Sequence, residues 1–125
     1  NTSNLKNNYS NVSIWSYEKA DFADTGLTFC GLIMGDHSKC GINTMFNTGT
    51  VTGVNANIFG GGFPDKHIPS FSWGGPEGWE EYDPTKAFAT IEKVMQRRSK
   101  ALTPEMRALL QHVFEETAHH RRSAS

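Results

Sequence analysis

The stretch from Met34 to Phe63 keeps a period of six, and this limits the folding options of the chain more than any other feature. In register it reads MGDHSK, CGINTM, FNTGTV, TGVNAN, IFGGGF. The first positions, Met34, Cys40, Phe46, Thr52 and Ile58, are mostly apolar, and the fifth, Ser38, Thr44, Thr50, Ala56 and Gly62, are always small. The second positions, Gly35, Gly41, Asn47, Gly53 and Phe59, are mostly small or turn-forming. A helix would smear a six-residue period around its circumference, whereas short strands separated by corners hold it in step. Such a period is a signature of a parallel β-helix, in which three hexapeptides close one triangular coil. Gly and Asn then supply the corner conformations that branched residues resist. A meander of antiparallel hairpins with Gly-rich turns is the alternative.

Upstream, Tyr9 to Trp15 alternates loosely as a strand, and residues 16–25 are acidic and polar, suited to a loop or hairpin protruding from a corner. Leu27 to Ile33 is an apolar run leading into the first clean repeat. The chain opens in mid-pattern without an initiator Met, so it is expected to be a piece of a longer protein, since stacked repeats need about three units and a polar cap.

After Phe63 the period stops. The segment PDKHIPSFSWGGPEGW is rich in Pro, Gly and aromatic residues, and it is expected to be an ordered crossover loop held by Ile68, Phe71, Trp73 and Trp79. Asp83-Pro84 and Thr103-Pro104 each read as an N-cap followed by Pro at the first helical position. Phe88, Ile91, Val94 and Met95 form one apolar stripe, and Met106, Leu109, Leu110, Val113 and Phe114 a second. Two such helices predict an antiparallel hairpin covering the flank or end of the repeats, or a neighbouring subunit. The domain layout is therefore coils over 1–63 with an insertion near 16–25, a crossover loop over 64–82, two helices over 83–118 and a fraying tail over 119–125.

The 125 residues amount to one domain or part of one, and a net charge of −1 offers no footprint for nucleic acid or an anionic membrane. No apolar run is long enough to span a bilayer. Cys30 and Cys40 form no C-x-x-C pair and read as reduced core thiols, which favours the cytoplasm.

The segment GLIMGDHSKCGINTMFNTGTVTGVNANIFGGGF, preceded by NTSNLKNNYSNV, resembles the C-terminal left-handed β-helix of the bifunctional N-acetylglucosamine-1-phosphate uridyltransferase/glucosamine-1-phosphate acetyltransferase family. It is most similar to the sugar-nucleotidyltransferase relatives carrying that tail, of the putative glucose-1-phosphate thymidylyltransferase type. The ordered combination of Asn4-Leu5, an interrupting hairpin, I-M-G-D and G-I-N-T-M carries the resemblance over nearly the whole chain.

That resemblance implies a mainly β fold: a trimeric, hexapeptide-repeat left-handed parallel β-helix with a C-terminal helical hairpin, its crossovers against the usual chirality of parallel connections. It also implies an N-terminal nucleotidyltransferase domain, using Mg2+, that is not part of this sequence. Acetyl-CoA would serve as co-substrate in the groove between subunits, and a histidine base would deprotonate an amino-sugar-like acceptor for attack on the thioester. Asn4 would lie near the acyl and sugar groups, Lys6 near a sugar phosphate, and Ile42 and Gly60 would offer backbone groups to the pantetheine arm. No catalytic residue is assigned within the chain, because the family's histidine precedes the Asn-Leu motif and would fall upstream of Asn1.

Other candidates read as structural. His37 is placed at an exposed corner and His67 as a packed or partly exposed loop residue; Asp36 is a corner residue bonding its own backbone. His37 and His67 alone fall short of a zinc site, so no metal ligands are assigned. Two functions follow. One is an acyltransferase-type domain of a sugar-1-phosphate nucleotidyltransferase, inactive as this fragment alone; the other is a non-catalytic trimerisation module of such an enzyme. Both predict a homotrimer, and the first adds a sugar phosphate and CoA as small-molecule partners.

Overall fold

The computed structural model describes residues 10–27 and 30–124. Asn4 and Lys6 lie outside the described residues. The first element is an antiparallel hairpin of β1 (Ser13–Ser16) and β2 (Asp21–Asp24), registered from Ser13↔Asp24 to Ser16↔Asp21. Its base is closed by Val12 N–H donating to the Leu27 carbonyl at 2.7 Å and Thr25 N–H to that of Val12 at 2.9 Å. This hairpin occupies the predicted insertion.

The six-residue stretch forms four two-residue strands: β3 (Ile33–Met34), β4 (Lys39–Cys40), β5 (Val51–Thr52) and β6 (Asn57–Ile58). Three more follow: β7 (His67–Ile68), β8 (Ser72–Gly75) and β9 (Gly78–Glu81). They assemble as a three-stranded parallel sheet β3-β5-β7 and a four-stranded sheet β4-β6-β8-β9, whose last pair is antiparallel. Ile33 pairs with Val51 and Lys39 with Asn57, a step of 18 residues; Val51 then pairs with His67 and Asn57 with Trp73, a step of 16.

The expected left-handed parallel β-helix is therefore corrected. The described residues make three small sheets, both parallel and antiparallel, none of which closes on itself or continues as a solenoid. The β8–β9 hairpin turns the chain back across Gly75↔Gly78 and so ends the parallel stacking. At the other side β3 and β4 are edge strands, and the first-position residues Met34 and Cys40 are exposed rather than facing a common interior. Phe46, Thr52 and Ile58 are buried, and Phe46 and Ile58 form the core with Ala56 and Ile68. Both cysteines are free thiols, but only Cys30 is even partly covered.

Close stacking explains the small second positions. A Cβ on Gly35 would come within 2.7 Å of the Gly53 backbone, and one on Gly53 would collide with Ser70. His37, Asn55 and Phe71 occupy equivalent corners with φ near +60°; Asn tolerates this conformation, and Phe71 is held in it by complete burial.

The segment 64–82, expected as a crossover loop, instead supplies β7, β8 and β9. Backbone pairing to β5 and β6 overrides its poor strand propensity.

Helices α1 (Pro84–Gln96) and α2 (Pro104–Glu116) start where the caps predict. Asp83 Oδ1 accepts from Thr85 N–H at 3.0 Å, and Thr103 Oγ1 accepts from Met106 N–H at 3.1 Å. Phe88, Ile91 and Leu110 pack together with Val54, so the helices cover the corner between β5 and β6. The rest of the stripes is only partly used: Val94, Met106 and Leu109 are exposed.

The expected fraying tail is helix α3 (Ala118–Ala124). Its Arg121 is buried, with Nε 2.9 Å from Glu81 Oε2, Nη1 donating to the Ser70 carbonyl at 2.9 Å and to Thr117 Oγ1 at 2.8 Å, and Nη2 donating to the Phe114 carbonyl at 2.7 Å. The guanidinium also lies over the Phe114 ring, 4.3 Å from its centroid. A residue of the segment expected to fray is the pin between α2, α3 and the sheets.

Candidate functional site: an aromatic groove on the four-stranded sheet

Beside β6, β8 and β9 an open groove of about 410 Å³ is lined by Phe59, Gly60, Trp73, Gly74, Gly75, Glu77, Gly78, Trp79 and Glu80. The sequence builds it from the last repeat and the β8–β9 hairpin. Phe59 N–H donates to the Gly74 carbonyl at 2.9 Å, and a Cβ on Gly75 would strike the Phe59 carbonyl oxygen. Glycine at 75 is thus required for the strands to approach.

Two rings remain open to solvent. Phe59 is 43 % exposed and Trp73 37 % exposed, set edge to face with centroids 5.6 Å apart, and Tyr82 supports Trp73 from 4.9 Å. Trp79 is half-buried and packs against the core, while the side chains of Glu77 and Glu80 are exposed at the groove. The chemistry offered is flat apolar surface beside carboxylates, with glycine backbone between them.

Gly60 lies in this groove, at φ +100° and with nothing within 4 Å of where a Cβ would stand. Ile42 holds the equivalent position one turn earlier, two residues past Cys40 as Gly60 is two past Ile58, the partner of Cys40. It is 94 % exposed and does not line the groove. The two positions assigned to a pantetheine arm are thus in register but not in one site. The groove residues Trp73, Glu77, Trp79 and Glu80 were not legible as a site, because the segment was expected to wrap as a loop; the G-G-P-E-G spacing between the tryptophans was the signal for a hairpin, which pairs Trp73 with Glu80 and Trp79 with Gly74 and so sends the two rings to opposite faces.

A second cluster joins distant parts of the chain. His67 on β7 stacks on Trp15 of β1, with centroids 4.3 Å apart and planes 6° from parallel, and its Nε2 is 3.0 Å from the Tyr17 hydroxyl. His120 of α3 meets His67 edge to face at 5.8 Å and Tyr17 at 5.1 Å. Burial, then the neighbouring His120, pushes the His67 pKa down to about 4. Burial also raises that of Tyr17, so the phenol keeps its proton. His37 is at a corner and Asp36 uses its backbone carbonyl to accept from Asn55 N–H at 2.9 Å. Among the described residues no three His, Cys, Asp or Glu side chains converge to hold a metal ion, and no helix is long and apolar enough to cross a membrane.

Comparison with protein-family models, with curated proteins and with solved structures found no match to this chain.

Proposed function

We propose that the chain is the acyltransferase-type part of a cytoplasmic sugar-1-phosphate nucleotidyltransferase, and that the Phe59–Trp73–Trp79 groove receives an amino-sugar-like acetyl acceptor. The observation that carries this reading is the pairing of exposed aromatic rings with the carboxylates of Glu77 and Glu80. The apolar face of a pyranose packs on an aromatic ring, and an ammonium group is attracted both by ring faces and by carboxylates. The same carboxylates disfavour phosphates, so the groove fits the ring and amine of the acceptor, with any phosphate of acceptor or donor held outside it. Acetyl-CoA remains the proposed donor, and the base for acyl transfer stands outside the groove, since no histidine lines it.

Calorimetric titration with glucosamine tests this. Saturable heat at millimolar ligand, abolished in Trp73→Ala and weakened for glucose, is the expected result; no heat for glucosamine defeats the reading.

A second reading, a trimerisation module, is favoured by the exposed apolar residues of the opposite edge, Ile33, Met34, Ile42 and Met45. Light scattering distinguishes it: a trimer that binds no sugar supports the module alone.

A further inference from the structure

Three elements far apart in sequence meet through rings: the β1–β2 hairpin through Trp15, Tyr17 and Phe22, β7 through His67, and α3 through His120. The hairpin is anchored at its base by the backbone bonds of Val12 and by the Lys66 ammonium, which donates to the Ser13 carbonyl at 2.7 Å. Its outer part is held by the rings. An arm fixed at its stem and docked at its tip is a hinged element, and the docking surface contains two imidazoles.

We propose that the Trp15–Tyr17–His67–His120 contact is an acid-released latch, which holds the hairpin and helix α3 against β7 when both imidazoles are neutral and lets them go when they are charged.

The geometry of the contact favours neutral rings. The His67 and His120 centroids lie 5.8 Å apart, so charging both places like charges against each other at a partly buried site. The groups facing this cluster add to the cost of charging it. Lys66, adjacent on the chain, lies 5.7 Å from the Phe22 centroid; the His119 ring lies tilted 3.9 Å from His120; Arg121 follows on α3, its charge engaged with Glu81 of β9; and Tyr17 stays protonated. His120 is disfavoured as a cation by burial, then by His119 and Arg121. The sign follows. The folded-state pKa of His67 is depressed, so above its ordinary value of 6.5 the docked and released forms bind equal numbers of protons. As pH falls from 6.5 toward about 4 the released form binds more, and docking weakens. The shift bounds the effect at about 300-fold; solvent at the half-exposed ring reduces it to on the order of ten-fold.

Amide hydrogen exchange of the full chain, compared at about pH 7 and pH 4.5 after correction for intrinsic rates, reads the latch. Protection over residues 13–24 and 118–124 is expected to fall about ten-fold at the lower pH, with residues 84–96 unchanged. In His67→Phe, which keeps the stacked ring and cannot charge, the change should shrink to less than about two-fold. Unchanged hairpin protection in the wild type, an equal loss over 84–96, or a loss in His67→Phe as large as in the wild type overturns the proposal. Should that variant not fold, an NMR titration of the wild-type His67 ring decides. A midpoint near 4, with Tyr17 resonances moving in the same step, supports the latch, and a midpoint at the ordinary histidine value overturns it.

Discussion

The two ends of the parallel sheets meet opposite fates. At the β3–β4 edge Ile33, Met34 and Cys40 are exposed, although Met34 and Cys40 hold the same repeat position as Phe46 and Ile58, which are fully buried. At the other end β7, β8, β9 and the helices close over the core: Ile68 and Phe71 are completely buried, and Arg121 is drawn in beneath them. A repeat therefore marks which side chains are eligible for the core, and the next element in space determines which of them enter it.

This contrast is easiest to break at Phe46. Phe46→Ala removes a fully buried ring from the central cluster and should destabilise by about 3–5 kcal/mol in urea unfolding. A cost near that of a surface change would mean that the cluster is not the core. Arg121→Ala comes next, at about 2 kcal/mol, because the Ser70 and Phe114 carbonyls lose their donor. The penalty stays moderate because Glu81, the partner left behind, is exposed and can be hydrated. Thr103→Ala should cost about 1 kcal/mol through loss of the α2 cap, seen as a lower thermal midpoint. Met34→Ala, at the open edge, should fall below about 1 kcal/mol in dilute monomer. If its cost grows with protein concentration, another copy of the chain covers that edge, and the contrast between the ends belongs to the monomer only.

Local chemistry was readable wherever it acts over a few residues. Asp83-Pro84 and Thr103-Pro104 located both helix starts, whereas Gly35 and Gly53, read as corner conformations, have no positive φ and are small because a neighbouring turn lies against them. The insertion at 16–25 was read from its polarity and is a hairpin. What was misread depended on partners distant in sequence. Residues 67–81 look like loop because Pro and Gly punctuate them, but β5 and β6 offered ladders on which they pair. Arg121 looks like a solvated tail cation, and becomes core because Ser70, Phe114 and Thr117 supply acceptors that only the packed helices bring together. Of the site, Gly60 lines the groove, while the rings around it and the carboxylates of Glu77 and Glu80 required the β8–β9 hairpin to fold back.

By itself the sequence determined the six-residue spacing, the caps and the polar hairpin, because each is set by sterics or hydrogen bonds within one turn or between repeats. The tertiary structure decided that the sheets stay open, that β9 ends them, and that Trp15, His67 and His120 share one contact. Those outcomes depend on which surfaces remain uncovered after the local elements form, a balance of burial against backbone pairing over the whole molecule that no short stretch of residues contains.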